Sequence, residues 1–205
     1  MSEPGFPAVW CWPLAALVIS SLVVRGAIGY ARRHAMLDLP GRRRSHRVPT
    51  PRGGGIGSVA ALALCLPGVL LATPGGFPAG LVAAWTGGFL LVALLGWIDD
   101  RHALPALPRL LAQLAASLGL VLALPGGTPA WFWVPPLVLA GAWSANLHNF
   151  MDGIDGLLAQ QLLFIAGGFA LLARAMGQPV LLAAAGTLMA AVAGFWWFNR
   201  PPARI

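Results

Sequence analysis

Paired carboxylates are the residues of this chain whose type and spacing could do chemistry. Asp99 and Asp100 end an apolar run, LLGWIDD, and Asp152 and Asp155 lie three residues apart in NFMDGIDG. Adjacent carboxylates repel each other and attract a cation. Hard oxygen ligands of this kind suit Mg²⁺, which usually keeps several waters and bridges to substrate phosphates. The structural alternative for the first pair is a solvated helix end with Arg101 as counter-charge.

The run from Asn149 to Gly156 carries the more specific pattern. Gly153 and Gly156 predict a tight turn that opens into a helix, and such a turn could direct both carboxylates, the Asn149 amide and backbone N–H groups at one point. The run lacks the ligand spacing and the closing Glu of an EF-hand loop. The structural alternative is a helix N-cap, but a cap needs one Asp and the second is left unexplained.

A basic segment precedes these runs and reads DLPGRRRSHRVPTPRGGG from Asp38. Arginines and glycines with free N–H groups can together bind phosphate. The structural alternative is an anchor for anionic lipid headgroups, which needs charge but no Pro-Thr-Pro-Arg or triple-Gly segment. The segment is neither a Walker A loop nor a dinucleotide-binding GxGxxG. The arginines, the histidine and the glycines of this segment are therefore candidates for binding phosphate.

Long apolar runs must position these residues. The chain has 205 residues, of which 58% are hydrophobic and 9% charged, and its mean hydropathy is +0.77. Soluble domains carry about 25% charged residues. Because backbone polar groups must be satisfied internally in hydrocarbon, runs of about 20 apolar residues predict helices. We therefore predict an all-α integral membrane protein, a polytopic bundle of about seven transmembrane helices, over residues 8–30, 55–72, 79–98, 107–124, 131–147, 157–173 and 179–198.

The charge distribution predicts how the chain is oriented. Every basic residue is an arginine, and apart from Arg25 and Arg174 all lie in or beside alternate connections. The positive-inside rule makes these connections cytoplasmic and the N-terminus external, with residues 31–54 as the first cytoplasmic loop. The net charge of +7 is thereby explained without nucleic acid. A proton-coupled transporter is disfavoured, because no aspartate lies near the predicted midplane.

Three motifs in this order resemble the polyprenyl-phosphate N-acetylhexosamine-1-phosphate transferase family, of the glycosyltransferase 4 type. The matching runs are DLPGRRRSHRVPTPRGGG from Asp38, WIDD ending at Asp100, and NFMDGIDGL from Asn149. The first loop resembles most the branch that starts O-antigen and common-antigen synthesis, which is related to the phospho-N-acetylmuramoyl-pentapeptide transferase. The resemblance covers essentially the whole chain from the first span onward.

The resemblance implies a reaction and a setting. A polyprenyl phosphate such as undecaprenyl phosphate attacks the β-phosphate of a UDP-N-acetylhexosamine and UMP leaves, with Mg²⁺, or Mn²⁺ in its place, as cofactor. The protein would be a multi-pass enzyme of the bacterial inner membrane, with its active site facing the cytoplasm. It would start a cell-surface glycan such as the O-antigen of lipopolysaccharide, or act in cell wall biogenesis, and a homodimer is a candidate assembly.

The resemblance also implies residue roles. Catalysis would fall to Asp99, Asp100, Asp152 and Asp155, and metal binding to Asn149, Asp99 and Asp100. Substrate binding would fall to Arg43, His46, Arg52, Gly53, Gly54, Asn146 and Asn149. Whether an aspartate acts as base or as nucleophile is left open.

Family members usually continue through further spans with another metal-binding Asp in a Gly-Asp loop. We therefore expect residues 1–205 to be a single transmembrane domain that corresponds to the N-terminal part of the longer family fold. The alternative function is that of a truncated, non-catalytic membrane protein that retains the fold and binds lipid phosphate.

Overall fold

The computed structural model describes residues 6–38, 49–72, 76–102, 104–124, 129–151 and 153–205, with the backbone alone for residues 6–9. Two short strands, β1 (Leu37–Asp38) and β2 (Thr50–Pro51), form an antiparallel pair, and a 3₁₀ turn spans Trp131–Trp133. The other elements of the described ranges are α-helices: α1 (Phe6–Arg33), α2 (Ile56–Ala72), α3 (Ala79–His102), α4 (Ala106–Leu122), α5 (Val134–Met151), α6 (Leu157–Ala175) and α7 (Pro179–Asn199).

The helices confirm the all-α membrane prediction and follow the seven apolar runs to within a few residues. Within the described residues, four helices are long and apolar enough to cross a membrane: α1 from Trp10, α3, α6 and α7. Helices α2 and α4 are apolar but have 17 residues each. The external N-terminus and the cytoplasmic loop at 31–54 stay predictions, although α1 takes up the first three residues of that loop.

The chain divides into two compact units. The first, named here the α7 unit, comprises residues 1–76 and 152–205, and the second, named the α4 unit, comprises residues 77–151. A single transmembrane domain stays a prediction, and each unit is described by itself.

In the α7 unit, α7 packs against α1, α2 and α6. Glycines make these approaches close. A Cβ at Gly194 would lie 2.8 Å from Ser20 Cβ and 2.9 Å from the Leu17 carbonyl oxygen. Ser58 Oγ in α2 donates a hydrogen bond to the Ala191 carbonyl oxygen at 3.1 Å. Helix association in lipid depends on such van der Waals packing of small residues, because the surroundings are as apolar as the side chains.

In the α4 unit, α4 lies between α3 and α5 and packs against both. A Cβ at Gly88 would lie 3.1 Å from Ala116 Cβ, and one at Gly141 would lie 2.5 Å from Ser117 Oγ. Because α3 and α5 both run antiparallel to α4, the C-terminal ends of α3 and α5 share one end of the unit. The carboxylates of α3 and the asparagines of α5 lie at that end.

Candidate active site

The strand pair of the α7 unit joins the end of α1 to the start of α2. Asp38 lies opposite Thr50 in the ladder, and the Arg52 N–H donates to the Met36 carbonyl oxygen at 3.0 Å. Asp38 is 6% exposed. The Arg52 guanidinium reaches back to it, with Nε at 3.1 Å and Nη2 at 2.5 Å from the same oxygen, Asp38 Oδ1. The pair holds Arg52 in one orientation.

Arg52 keeps binding capacity beyond this ion pair. Its side chain is 39% exposed, against 8% for that of Asp38. A guanidinium carries five N–H donors in a fixed fork, and among the described residues no hydrogen bond is formed by Arg52 Nη1. Arginine oriented in this way is suited to binding a phosphate oxygen through charge-assisted hydrogen bonds. The structure therefore keeps Arg52 as a phosphate-binding candidate and adds Asp38 as the residue that orients it.

The triple-glycine segment forms the turn into α2, and packing accounts for part of its composition. Gly53 has φ +91°, a left-handed conformation that favours glycine. Gly54 is buried, and a Cβ there would lie 2.7 Å from Phe195 Cε2 and 2.9 Å from Ile205 Cγ2. A Cβ at Gly55 would meet open space. Two of these glycines thus have structural reasons, which the sequence interpretation as a phosphate cradle did not include.

The acidic turn, residues 153–156, leads directly into α6. Gly156 is the N-cap residue with φ +75°, and as a glycine it has no side chain of its own to cap the helix. Asp155 is half-buried one position before the cap. The structural alternative of an Asp N-cap therefore does not describe Asp155. Asp155 thus lies beside the N-terminus of α6, at this end of the unit.

Asn199, the last residue of α7, connects this turn to the C-terminal segment. Its Oδ1 accepts a hydrogen bond from the Gly156 N–H at 2.9 Å, and its Nδ2 donates to the Ile205 main-chain oxygen at 2.8 Å. The Ile205 side chain is buried and lies against the space that a Cβ at Gly54 would fill. Asn199 and Ile205 therefore hold the acidic turn and the Arg52–Gly54 turn at one end of the α7 unit.

The sequence analysis did not select Asn199. The signal that could have found it is a lone amide residue at the end of a long apolar helix, directly before Arg200 and two prolines. Such a residue has few local partners, so it is available to bond another segment. Which segment it bonds depends on the tertiary structure.

In the α4 unit, Asp99 fastens the α3–α4 connection. It lies in the last turn of α3, where Oδ1 accepts from the Leu104 N–H at 2.7 Å and Oδ2 accepts from Arg109 Nη1 at 2.9 Å. The sequence suggested Arg101 as the counter-charge, but Arg109 is the arginine that pairs with Asp99. The Arg101 guanidinium lies instead over Trp97, 3.8 Å from the centre of the ring. Both Asp99 oxygens thus have structural bonds, while Asp100 is exposed.

The end of α5 departs from the predicted turn. Helix α5 continues through Met151, since no glycine or proline interrupts it before Gly153, and so Asn149 is helical and exposed. Asn146 is also exposed in α5. His148 Nδ1 lies 2.7 Å from the Ser144 carbonyl oxygen, which fixes Nδ1 as the protonated nitrogen. The two asparagines are available at the same end of the unit as Asp99 and Asp100.

The donor types fit a hard cation, but no complete ligand set is assembled in the residues that the structure describes. Carboxylate and amide oxygens are ligands that suit Mg²⁺. Within the described ranges, no group of three or more His, Cys, Asp or Glu side chains lies close enough to hold a metal ion. Three of the predicted site residues, Arg43, His46 and Asp152, lie outside the described residues. The metal therefore stays a prediction.

Comparison with known proteins places these features in a family. The model described as "Glycosyl transferase family 4" matches residues 82–205. The "Probable undecaprenyl-phosphate N-acetylglucosaminyl 1-phosphate transferase" of Bacillus subtilis (strain 168) is 28% identical over 94% of this chain and 54% of its own length. The "Phospho-N-acetylmuramoyl-pentapeptide-transferase" of Heliobacterium modesticaldum is 28% identical, with coverages of 96% and 68%.

A further relative of the same name, from Chlamydia pneumoniae, is 30% identical over 78% of this chain and 54% of its own length. The chain thus spans about half the length of two of these three curated relatives. The family match begins inside α3 and includes the Asp99–Asp100 pair, the Asn149–Gly156 run and Asn199.

Proposed function

Because the chain belongs to glycosyl transferase family 4, we propose that it transfers N-acetylhexosamine-1-phosphate from a UDP-sugar to undecaprenyl phosphate or a related polyprenyl phosphate. The product would be a polyprenyl diphosphate sugar that starts a cell-surface glycan such as the O-antigen. The names of three relatives support this substrate class. One is an undecaprenyl-phosphate transferase and two are phospho-sugar transferases.

The observation that carries the proposal is the grouping at one end of the α7 unit. The oriented Arg52 guanidinium and the half-buried Asp155 carboxylate belong to turns that Asn199 and Ile205 hold together. An enzyme that joins a water-soluble donor to a lipid phosphate needs its charges at the membrane interface. Residues at helix ends, rather than at mid-span, meet that need.

In the proposed reaction a phosphate oxygen of the lipid forms a bond to the β-phosphorus of the UDP-sugar. The bond between that phosphorus and the oxygen bridging to the α-phosphate breaks, and UMP leaves with the bridging oxygen. Negative charge on the transferred group spreads over its oxygens, so fixed cationic donors stabilise the transition state. Arg52 is oriented for this task by Asp38, and Gly53 would bring backbone close to the phosphate.

Acidic residues would position the partners of the transfer. One of the two aspartates Asp152 and Asp155 would assist the attacking lipid phosphate. The family resemblance gives catalytic or binding roles to Asp100, Asn146 and Asn149 as well. Asp99 would act from a position that Leu104 and Arg109 fix. The basic residues Arg43 and His46 would add phosphate contacts from the first loop.

We include Mg²⁺ in the proposal, with Mn²⁺ as its substitute, held by Asp99, Asp100 and Asn149. A bound divalent cation would neutralise diphosphate charge and so aid departure of UMP. The positive-inside distribution of arginines supports a multi-pass protein in the bacterial inner membrane whose active site faces the cytoplasm.

The direct test is UMP release from the purified protein in detergent with undecaprenyl phosphate, a UDP-N-acetylhexosamine and Mg²⁺. Release that needs both substrates, stops with a chelator and returns with Mg²⁺ is the expected result. Asp155→Asn should abolish release, because the amide can neither accept a proton nor carry the negative charge. Gln178→Ala, an exposed amide at the opposite end of α7, serves as the control that should leave release unchanged.

Two outcomes distinguish the alternatives. If UMP is not released with any UDP-N-acetylhexosamine, while undecaprenyl phosphate still binds and Asp155→Asn leaves that binding intact, the protein is the non-catalytic lipid-phosphate binder. Absence of both release and binding would refute the proposed substrate class altogether.

A further inference from the structure

Arg174 is the feature that the proposed function does not explain. It lies in the last turn of α6, at the opposite end of that helix from the acidic turn. Under the positive-inside rule an arginine is disfavoured on that side. A helix C-terminus favours a nearby cation, but this effect does not account for the apolar groove beside Arg174. Arg174 is exposed, and among the described residues no hydrogen bond or ion pair is formed by its guanidinium.

An apolar groove between α6 and α7 leads to Arg174. Its volume is about 530 Å³, and Arg174 is its one charged lining residue. On α6 the lining follows the helical spacing of a single face, and Leu182 and Met189 line it from α7, seven residues apart. The α6 lining consists of Leu163, Phe164, Gly167, Gly168, Ala170, Leu171 and Arg174.

The two glycines open the groove on the α6 side. A Cβ at Gly168 would meet nothing within 4 Å, and one at Gly167 would lie 3.9 Å from Met189 Cε, an ordinary contact. Phe164 and Leu171 are 85% and 71% exposed at its edge. The glycines therefore do not serve close packing here, in contrast to Gly194, and their effect is to leave room for another molecule.

The length of the groove corresponds to one leaflet of a membrane. Leu163 and Arg174 are eleven residues apart, which at 1.5 Å per residue is about 16 Å along the helix axis. Half of the hydrocarbon core of a bilayer is about 15 Å thick. In a bilayer that α6 spans, a groove of this length would extend from near the middle to the headgroup level of the leaflet opposite the acidic turn, where Arg174 would lie.

We propose that this groove is a binding site for an anionic phospholipid of that leaflet. One acyl chain would lie between α6 and α7, and the phosphate would accept hydrogen bonds from the Arg174 guanidinium. The charge decides the occupant. Arginine binds phosphate oxygens through charge-assisted, often bidentate, hydrogen bonds. Both kinds of phospholipid offer such oxygens, but the ammonium group of a zwitterionic lipid cancels the phosphate charge, so only an anionic lipid compensates the arginine.

The test is lipid binding to the purified protein, measured by native mass spectrometry with phosphatidylglycerol and phosphatidylcholine of identical chains. The unchanged protein should prefer phosphatidylglycerol. Arg174→Gln should weaken phosphatidylglycerol binding by about tenfold or more, equivalent to about 1.4 kcal/mol, and weaken phosphatidylcholine binding much less. Arg174→Lys should retain most of the preference. Arg25→Gln removes the same charge from an exposed position on α1 and should have no effect.

A groove-filling variant tests the acyl chain separately. Gly167→Leu has space beside Met189, so it should fold normally, keep Arg174 and weaken the binding of both lipids. Equal losses with Arg174→Gln and Arg25→Gln would overturn the proposal in favour of non-specific charge attraction. Competition by inorganic phosphate as effective as that by the lipid would show an anion site without a tail. A dimer that Gly167→Leu dissociates would show that a second copy occupies the groove.

Discussion

Replacement of Asn199 by alanine should loosen the end of the α7 unit that carries the acidic turn. The side chain accepts from the Gly156 N–H at 2.9 Å and donates to the Ile205 main-chain oxygen at 2.8 Å. Gly156 is buried, so its N–H cannot easily turn to water. The alanine variant leaves both groups without this partner, and α6 loses the attachment of its N-cap.

The expected magnitude follows from these two bonds. An unsatisfied buried donor or acceptor costs about 1–3 kcal/mol. Gly156 is a buried residue, so we take about 2 kcal/mol, the middle of this range, as the cost at the Gly156 N–H alone. Since 1.4 kcal/mol corresponds to a factor of ten, the local opening equilibrium should rise about 30-fold.

Hydrogen exchange followed by mass spectrometry measures this opening directly. Peptides that cover residues 153–157 should exchange about 30-fold faster in Asn199→Ala. Asn199→Asp keeps an acceptor for the Gly156 N–H but loses the donor to Ile205. In that variant, residues 153–157 should stay protected while the C-terminal segment loosens. Gln178→Ala, at the other end of α7, should change neither.

The reasoning would be refuted if Asn199→Ala left exchange at residues 153–157 within about threefold of the unchanged protein. It would also fail if Asn199→Asp and Asn199→Ala exposed Gly156 equally, because the retained acceptor would then have no effect. The UMP assay adds a second measurement, since a loosened acidic turn should lower the rate of release without abolishing it.

Two further predictions concern stability and can be measured by thermal unfolding in detergent. Gly54→Ala should lower the free energy of unfolding by about 1–3 kcal/mol, because its Cβ would lie 2.7 Å from Phe195 Cε2. Gly55→Ala places its Cβ in open space and should be tolerated. Equal effects of the two substitutions would contradict the packing explanation. Arg109→Gln should lower the free energy of unfolding by about 0.5–1 kcal/mol at low salt, because the ion pair that it removes, with Asp99, is partly exposed. The loss should be smaller at high salt, since screening already weakens the pair in the unchanged protein. A loss that does not depend on salt would contradict an electrostatic cause.

The fold was predictable in its elements because the membrane restricts what an apolar run can become. A long run without charges has to satisfy its own backbone bonds, so helix is the only local solution, and each run became one helix. The ends were less certain where the sequence gives weak stop signals. The fifth apolar run was predicted to end at residue 147, whereas helix α5 continues through Met151.

The candidate site was predictable in its residue types but not in its contacts. Carboxylates and arginines at the ends of apolar runs can be read from one sequence, because burying charge in hydrocarbon is costly. The structure adds that Asp38 orients Arg52, and that Asp99 pairs with Arg109, ten residues away, rather than with Arg101, two residues away. The direction of each side chain on its helix decides which arginine pairs with Asp99, and distance along the sequence does not.

By itself, the sequence determined a polytopic helical protein whose carboxylates and most of whose arginines collect at helix ends, because hydropathy and charge act locally on each segment. Only the tertiary structure decided that Asn199 joins the acidic turn to Ile205, that Gly54 is a packing requirement, and that a groove leads to Arg174. These features depend on segments far apart along the chain, whose meeting is set by how the helices pack.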